Sequence, residues 1–176
     1  MAYVPSAYTT LTAVKRILRT FNNKIKIGDN PNDTITEGDV TEYILDASRF
    51  MDSMLMKIIT SGLVPLSDTY AEISYAAPRL TAFLIYRDIY QAYRQENLPM
   101  GPRGWIEDAK DMIKVFIDNI NEGVYPTLSP STNAPTWTSV EQFFINKFGV
   151  SSVHTEVGTA INEVASISDD NSGPWD

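Results

Sequence analysis

Apolar residues recur at every third or fourth position in several long segments of this chain, and this spacing constrains its fold more than any other feature. The clearest apolar stripe consists of Val40, Ile44, Ala47, Met51, Leu55 and Ile58. Such a stripe forms one face of an α-helix. Thr36 and Asp39 before it match a capping box, and Gly62 and Pro65 follow it. The pattern predicts a helix that begins after Thr36 and ends before Gly62.

Three further segments show the same spacing. They predict helices from about Thr10 to Phe21, from about Ser74 to Gln95 and from about Arg103 to Asn121. Pro78 suits the first turn of the third helix, where a missing N–H costs nothing. With 43% hydrophobic residues, the chain of 176 residues can bury a real core. We therefore predict an all-α fold, a four-helix bundle-like domain over residues 1–125.

The chain changes character after Gly123. Residues 125–136 contain three prolines and no charged residue, which favours an extended connector. Residues 139–148 fit either a short helix or a strand. We predict that residues 126–176 form an extended C-terminal arm with this short element inside it.

The aromatic residues of the arm allow two interpretations. They lie in a segment too poor in apolar residues to build its own core, so they are candidate anchors for a partner's pockets. Alternatively, the arm folds back onto its own helices. The candidate anchors are Tyr125, Trp137, Phe143, Phe144, Phe148 and Trp175. Tyrosines on the third helix fit the core, or a subunit interface where their hydroxyls stay hydrated.

Charge is unevenly distributed along the sequence. The formal net charge of −8 argues against a general nucleic-acid coat, which needs cations to displace counterions from phosphates. Five acidic residues and no Lys or Arg follow Lys147, so that segment carries −5. A basic group near the other end is a candidate contact for DNA or a neighbouring subunit, or a solvated helix face. It consists of Lys15, Arg16, Arg19, Lys24 and Lys26.

Residues typical of catalytic and metal sites are scarce. The chain has no cysteine and one histidine, His154, for which we expect a solvated position. Asp29, Asp33 and Glu37 lack the spacing of a calcium-binding EF-hand. No phosphate-binding loop, nucleophile motif or acid–base pair of carboxylates is evident. We expect no catalytic residues, metal or cofactor, hence no enzyme, and neither a signal peptide nor a membrane span.

The order of these elements resembles that of the head–tail connector, or adaptor, proteins of tailed bacteriophages. The resemblance covers roughly residues 8–125. It rests on a short N-terminal helix, a following helix, a turn, a helix with a Pro-Arg-Leu step and an amphipathic last helix. The corresponding segments are Leu11–Leu18, Ile35–Asp52, Leu63–Leu66, Pro78–Asp88 and a helix ending at Ile120–Gly123. None of them is a catalytic signature.

The resemblance implies a structural virion protein that forms a homo-oligomeric ring, a dodecamer, in the neck between capsid portal and tail. Such a ring would extend the DNA channel, touch passing DNA without specificity, and bind the portal protein and the next tail or stopper component. It would be assembled in the host cytoplasm. This arm is longer than that of the shorter members of the connector family. It could bind the portal protein, a neighbouring subunit or the next tail component. The alternative function is a small nucleic-acid-binding packaging subunit, similar to a small terminase subunit, that uses the basic group.

Overall fold

The computed structural model describes residues 7–21, 25–90, 99–131 and 137–148, without the side chains of residues 21, 61, 137–140 and 143. The protein is all-α, as predicted. The described residues form five α-helices and a 3-10 turn at Ser61–Leu63. The helices are α1 at Leu11–Phe21, α2 at Glu37–Ile58, α3 at Ala71–Ile89, α4 at Met100–Asn121 and α5 at Trp137–Phe148.

Helix α2 begins as its sequence predicts. The Thr36 hydroxyl accepts a hydrogen bond from the Asp39 N–H at 3.1 Å, and the Asp39 carboxylate accepts one from the Thr36 N–H at 3.3 Å. Both arms of the capping box are therefore present. This arrangement satisfies two donors at the start of the helix.

Helix α3 begins earlier than predicted, and the expected position of Pro78 is wrong. The helix starts at Ala71, so Pro78 lies in its interior instead of its first turn. A proline there removes one backbone hydrogen bond. The turns before it bury Ile73, Ala76 and Ala77, and this apolar burial favours continuation of the helix. Helix α4 also starts early, at Met100, which places Pro102 in its first turn.

The core consists of two apolar clusters. The first joins the C-terminal part of α2, the N-terminal part of α3 and most of α4. The second joins α1, the segment around Ile25 and Ile35, and the N-terminal part of α2 with the C-terminal part of α3. Helices α3 and α4 are antiparallel, because Glu72 pairs with Asn119 and Arg79 with Asp108. Helix α3 belongs to both clusters and lies at the centre of the protein.

The segment after Gly123 packs on the helical domain as far as the structure describes it. Pro130 forms an isolated antiparallel bridge with Ile59, and Leu128 is buried. The Ser131 N–H donates to the Ile58 carbonyl at 2.8 Å. The helix alternative for residues 139–148 is confirmed by α5, which buries Phe144 and Phe148 in the first cluster. Over residues 126–131 and 137–148, the arm therefore folds back onto the bundle.

None of the helices in the described part of the chain is long and apolar enough to cross a bilayer.

Candidate interaction surfaces

The basic group predicted near the N-terminus forms a surface on α1. Arg16 and Arg19 are exposed on this helix, and Lys26 is exposed on the segment that follows it. Lys15 is half-buried and forms an ion pair with Glu37 at the start of α2. Lys24 lies outside the described residues. The structure thus brings four of the five predicted basic residues to one side of the protein.

The amphipathic pattern of α1 explains this arrangement. Val14 and Leu18 are fully buried in the second cluster, while Lys15, Arg16 and Arg19 lie at the intervening positions. Two grooves flank the cations, with volumes of about 370 Å³ and about 600 Å³. Lys15 and Arg19 line both grooves. We call this basic side of the protein the α1 surface.

The predicted role of Phe144 and Phe148 as exposed anchors is wrong for the folded chain. Phe144 is fully buried and Phe148 is 6% exposed. The Phe148 ring lies 4.6 Å from that of Phe50 and 5.7 Å from that of Phe83, measured between centroids. Burial of these rings in the chain's own core stabilises the fold and leaves neither available to a partner. Trp175 and the side chains of Trp137 and Phe143 lie outside the described part.

Tyr125, another predicted anchor, is also held by its own chain. Its hydroxyl donates to the Glu72 carboxylate at 2.7 Å, and Asn119 donates to the same carboxylate at 2.7 Å. Its ring lies 4.8 Å from that of Tyr70. Burial and the hydrogen bond to Glu72 raise the pKa of Tyr125. These contacts join the segment after α4 to the start of α3 and leave Tyr125 partly exposed, so its role as an anchor stays a prediction.

An apolar surface lies on the outer side of α3 and α4. Tyr75 is 41% exposed on α3, and Val115 is 40% exposed on α4. Tyr75 lies between Glu72 and Arg79, which pair with Asn119 and Asp108 on either side of Val115. The antiparallel pairing therefore places Tyr75 and Val115 at the same level. We call this area the α3–α4 surface.

Arg79 orders the exposed tyrosine of this surface. The Arg79 guanidinium carbon lies 3.4 Å from the centroid of the Tyr75 ring. The guanidinium also donates to the Tyr75 carbonyl at 3.1 Å and to Asp108 at 3.3 Å. A cation held over an aromatic face reduces the ring's freedom. Val115 was not predicted as a site residue, although an apolar residue on the otherwise polar face of its helix is a recognisable signal.

A cleft of about 570 Å³ opens between α2, α3 and the end of α5. Two ion pairs line it, Arg49 with Asp46 at 2.7 Å and Arg87 with Asp88 at 3.0 Å, and Lys147 is a further lining cation. Tyr43 donates to Asp88 at 3.1 Å, and burial, together with the charge of Asp88, raises the pKa of Tyr43 to about 12. The two ion pairs leave the charge of Lys147 unbalanced along the cleft, and no catalytic acid–base pair is evident among its lining residues.

Metal binding has little support in the described part of the chain, where no group of three or more His, Cys, Asp or Glu side chains could hold an ion. The Asp33 carboxylate instead accepts hydrogen bonds from the backbone and side chain of Asn30, at 3.0 and 3.2 Å. Turn geometry therefore accounts for this acidic residue. His154 lies outside the described residues.

Comparison with models of known protein families, with curated proteins and with solved structures gave no significant match.

Proposed function

We propose that this protein is a structural, non-enzymatic subunit that assembles into a ring between the portal of a phage capsid and its tail. The observation that carries self-association is the α3–α4 surface, where Tyr75 and Val115 are exposed at the same level of two antiparallel helices. Aromatic residues with an ordered arginine beside them are typical of the centre of protein interfaces. The phage context comes from the resemblance of residues 8–125 to connector proteins.

The shape of the core supports an assembling subunit. The bundle divides its apolar residues between two clusters that share α3. Association would bury further apolar area, at roughly 25 cal/mol for each Å² removed from water. A partner subunit that binds only the native form also raises the apparent stability of that form through mass action. Ring formation would therefore stabilise the subunit as well as build the channel.

The direct test is electron microscopy of the purified protein, alone and mixed with the cognate portal protein. The expected result is closed rings that dock coaxially on portal particles. Analytical ultracentrifugation over a range of concentrations would give the mass of the assembly. A chain that stays monomeric at every concentration and leaves portal particles bare would contradict the proposal.

The α1 surface favours a second candidate function, duplex binding by a packaging subunit similar to a small terminase subunit. Arg16, Arg19 and Lys26 could contact phosphates, and such binding weakens steeply as salt rises. Fluorescence anisotropy of labelled duplex DNA at several salt concentrations tests it. Tight duplex binding that is lost with Arg16→Glu and Arg19→Glu would favour this candidate, whereas a connector requires only weak contact with DNA.

A further inference from the structure

The α1 surface carries cations that have no ion-pair partner among the described residues. Lys15 pairs with Glu37, whereas Arg16, Arg19 and Lys26 form no ion pair within the described ranges. These three cations make this side of the protein locally positive, although the chain has a net charge of −8. An anionic ligand would find complementary charge on this side of the protein.

The groove beneath these cations also has an apolar floor. Leu18 and Ile25 line it at 1% and 5% exposure, and Ile27 lies beside them, while Arg19 and Lys26 stand at the rim. The sugar–phosphate backbone of a nucleic acid carries no apolar side chain that could fill such a floor. A peptide that combines carboxylates with aliphatic side chains fits both parts of the groove.

Residues 149–176 of the chain have this composition. They contain five acidic residues and no Lys or Arg. Glu156, Glu163 and Asp170 are spaced seven residues apart, and Val157 and Val164 directly follow the first two. Residues seven apart lie on one side of a helix. Bound as a helix, the segment would present a row of carboxylates beside a row of valines.

The position of α5 indicates which copy supplies this segment. The cluster that contains α1 includes Ala82, Ile85 and Tyr86 of α3. The cluster that contains the end of α5 includes Phe83 and Leu84. At about 100° per residue, these two sets lie on roughly opposite sides of α3. Helix α5 therefore ends on the side away from the α1 surface, which favours contact of the following segment with a neighbouring copy.

We infer that the α1 surface binds the acidic segment of residues 149–176 from a neighbouring copy of the same chain. This contact rests on the proposed function, because it links successive subunits of the ring. It is heterologous, with a groove on one subunit and a segment on the next. Repetition of such a contact closes a ring when the rotation between subunits allows it.

Charge reversal in the full-length chain tests the contact. One variant carries Arg16→Glu and Arg19→Glu, and a second carries Glu156→Lys and Glu163→Lys. Each variant alone should lose the oligomer, because like charges then face each other. An equimolar mixture of the two variants should recover the oligomer. The acidic segment of the first variant can bind the basic α1 surface of the second, and the reversed segment of the second can bind the reversed α1 surface of the first. A variant with Arg49→Glu and Lys57→Glu on α2 makes the same change in net charge away from both surfaces and should assemble like the unaltered chain.

The other outcomes of this experiment separate the inferred contact from the proposed function. If only the fourfold variant, with both reversals in one chain, recovers assembly and the mixture does not, the segment binds its own chain, and the inference fails. If both variants assemble normally, the inference fails while the proposed ring stands. If the unaltered chain never assembles, the proposed function fails and a peptide of residues 149–176 decides the contact.

That labelled peptide should bind the unaltered protein, and Arg16→Glu with Arg19→Glu should weaken its binding by about tenfold or more. The Arg49→Glu and Lys57→Glu control should leave binding unchanged. Binding should also weaken with added salt, as expected for partly exposed charges. Absence of peptide binding, or tight binding of duplex DNA to the same arginines without any binding of the peptide, would overturn the inference.

Discussion

The hydroxyl of Tyr8 donates a hydrogen bond to the buried carboxylate of Asp52, which lies 44 residues further along the chain. The same hydroxyl accepts a hydrogen bond from the Leu66 N–H at 2.9 Å, and the Tyr8 N–H donates to the Ser48 hydroxyl at 3.2 Å. One side chain before α1 thus joins α2 to the segment before α3. A buried carboxylate is costly unless donors satisfy it, so Tyr8, which packs against the first cluster, stabilises this part of the core.

Tyr8→Phe should therefore destabilise the protein. The change keeps the ring but removes a donor from Asp52 and an acceptor from the Leu66 N–H, at a cost of about 1–3 kcal/mol in the free energy of unfolding. Urea denaturation followed by circular dichroism measures the loss. Tyr75→Phe, at an exposed position, is the matched control and should change little. Equal unfolding midpoints for the two variants would contradict the assigned role of Tyr8.

Truncation of the buried rings of α5 should be more costly. Phe144→Ala or Phe148→Ala should each lower the free energy of unfolding by about 3–5 kcal/mol, through lost burial and the cavity that remains. Met100→Ala, at a position that is 92% exposed, should have little effect. Deletion of residues 127–176 should consequently destabilise the domain, whereas a chain that ends after Phe148 should fold. Normal stability of the longer deletion would show that α5 contributes nothing to the core.

Alkaline pH should weaken the fold through Tyr43. Burial and Asp88 raise its pKa from 10.0 to about 12 in the folded protein, so the folded state holds this proton more tightly than the unfolded chain. The stability that this protonation contributes is complete below pH 10 and is lost as the pH rises towards 12. Tyr43→Phe should flatten the fall in stability over this range. An unchanged slope in chemical denaturation at several alkaline pH values would contradict the assignment.

Self-association should depend on the α3–α4 surface. Tyr75→Ser or Val115→Ser should weaken assembly by about tenfold or more, because residues at the centre of an interface contribute most of its binding energy. Helix content should stay the same, since both side chains are exposed. Sedimentation velocity measures the effect, with Met56→Ser on α2 as a control of similar exposure. Assembly that resists both substitutions would place the interface elsewhere.

The sequence by itself determined the helical class, because apolar periodicity and capping are local properties. Thr36 and Asp39 lie three residues apart, so their mutual hydrogen bonds follow from chain geometry alone. The basic side of α1 was equally predictable, since burial of Val14 and Leu18 dictates where Lys15, Arg16 and Arg19 lie. Both inferences depend only on residues that lie within a few helical turns of one another along the chain.

Only the tertiary structure decided where the aromatic residues of the arm find burial. The sequence suggested Phe144 and Phe148 as anchors because their segment is too poor in apolar residues to build a core of its own. Their partners, Phe50 and Phe83, lie far away along the chain, and folding brings them together. The interior position of Pro78 has the same origin, since burial of the preceding turn outweighs a lost hydrogen bond. Hydrophobic burial depends on neighbours in space, and local sequence patterns do not specify those neighbours.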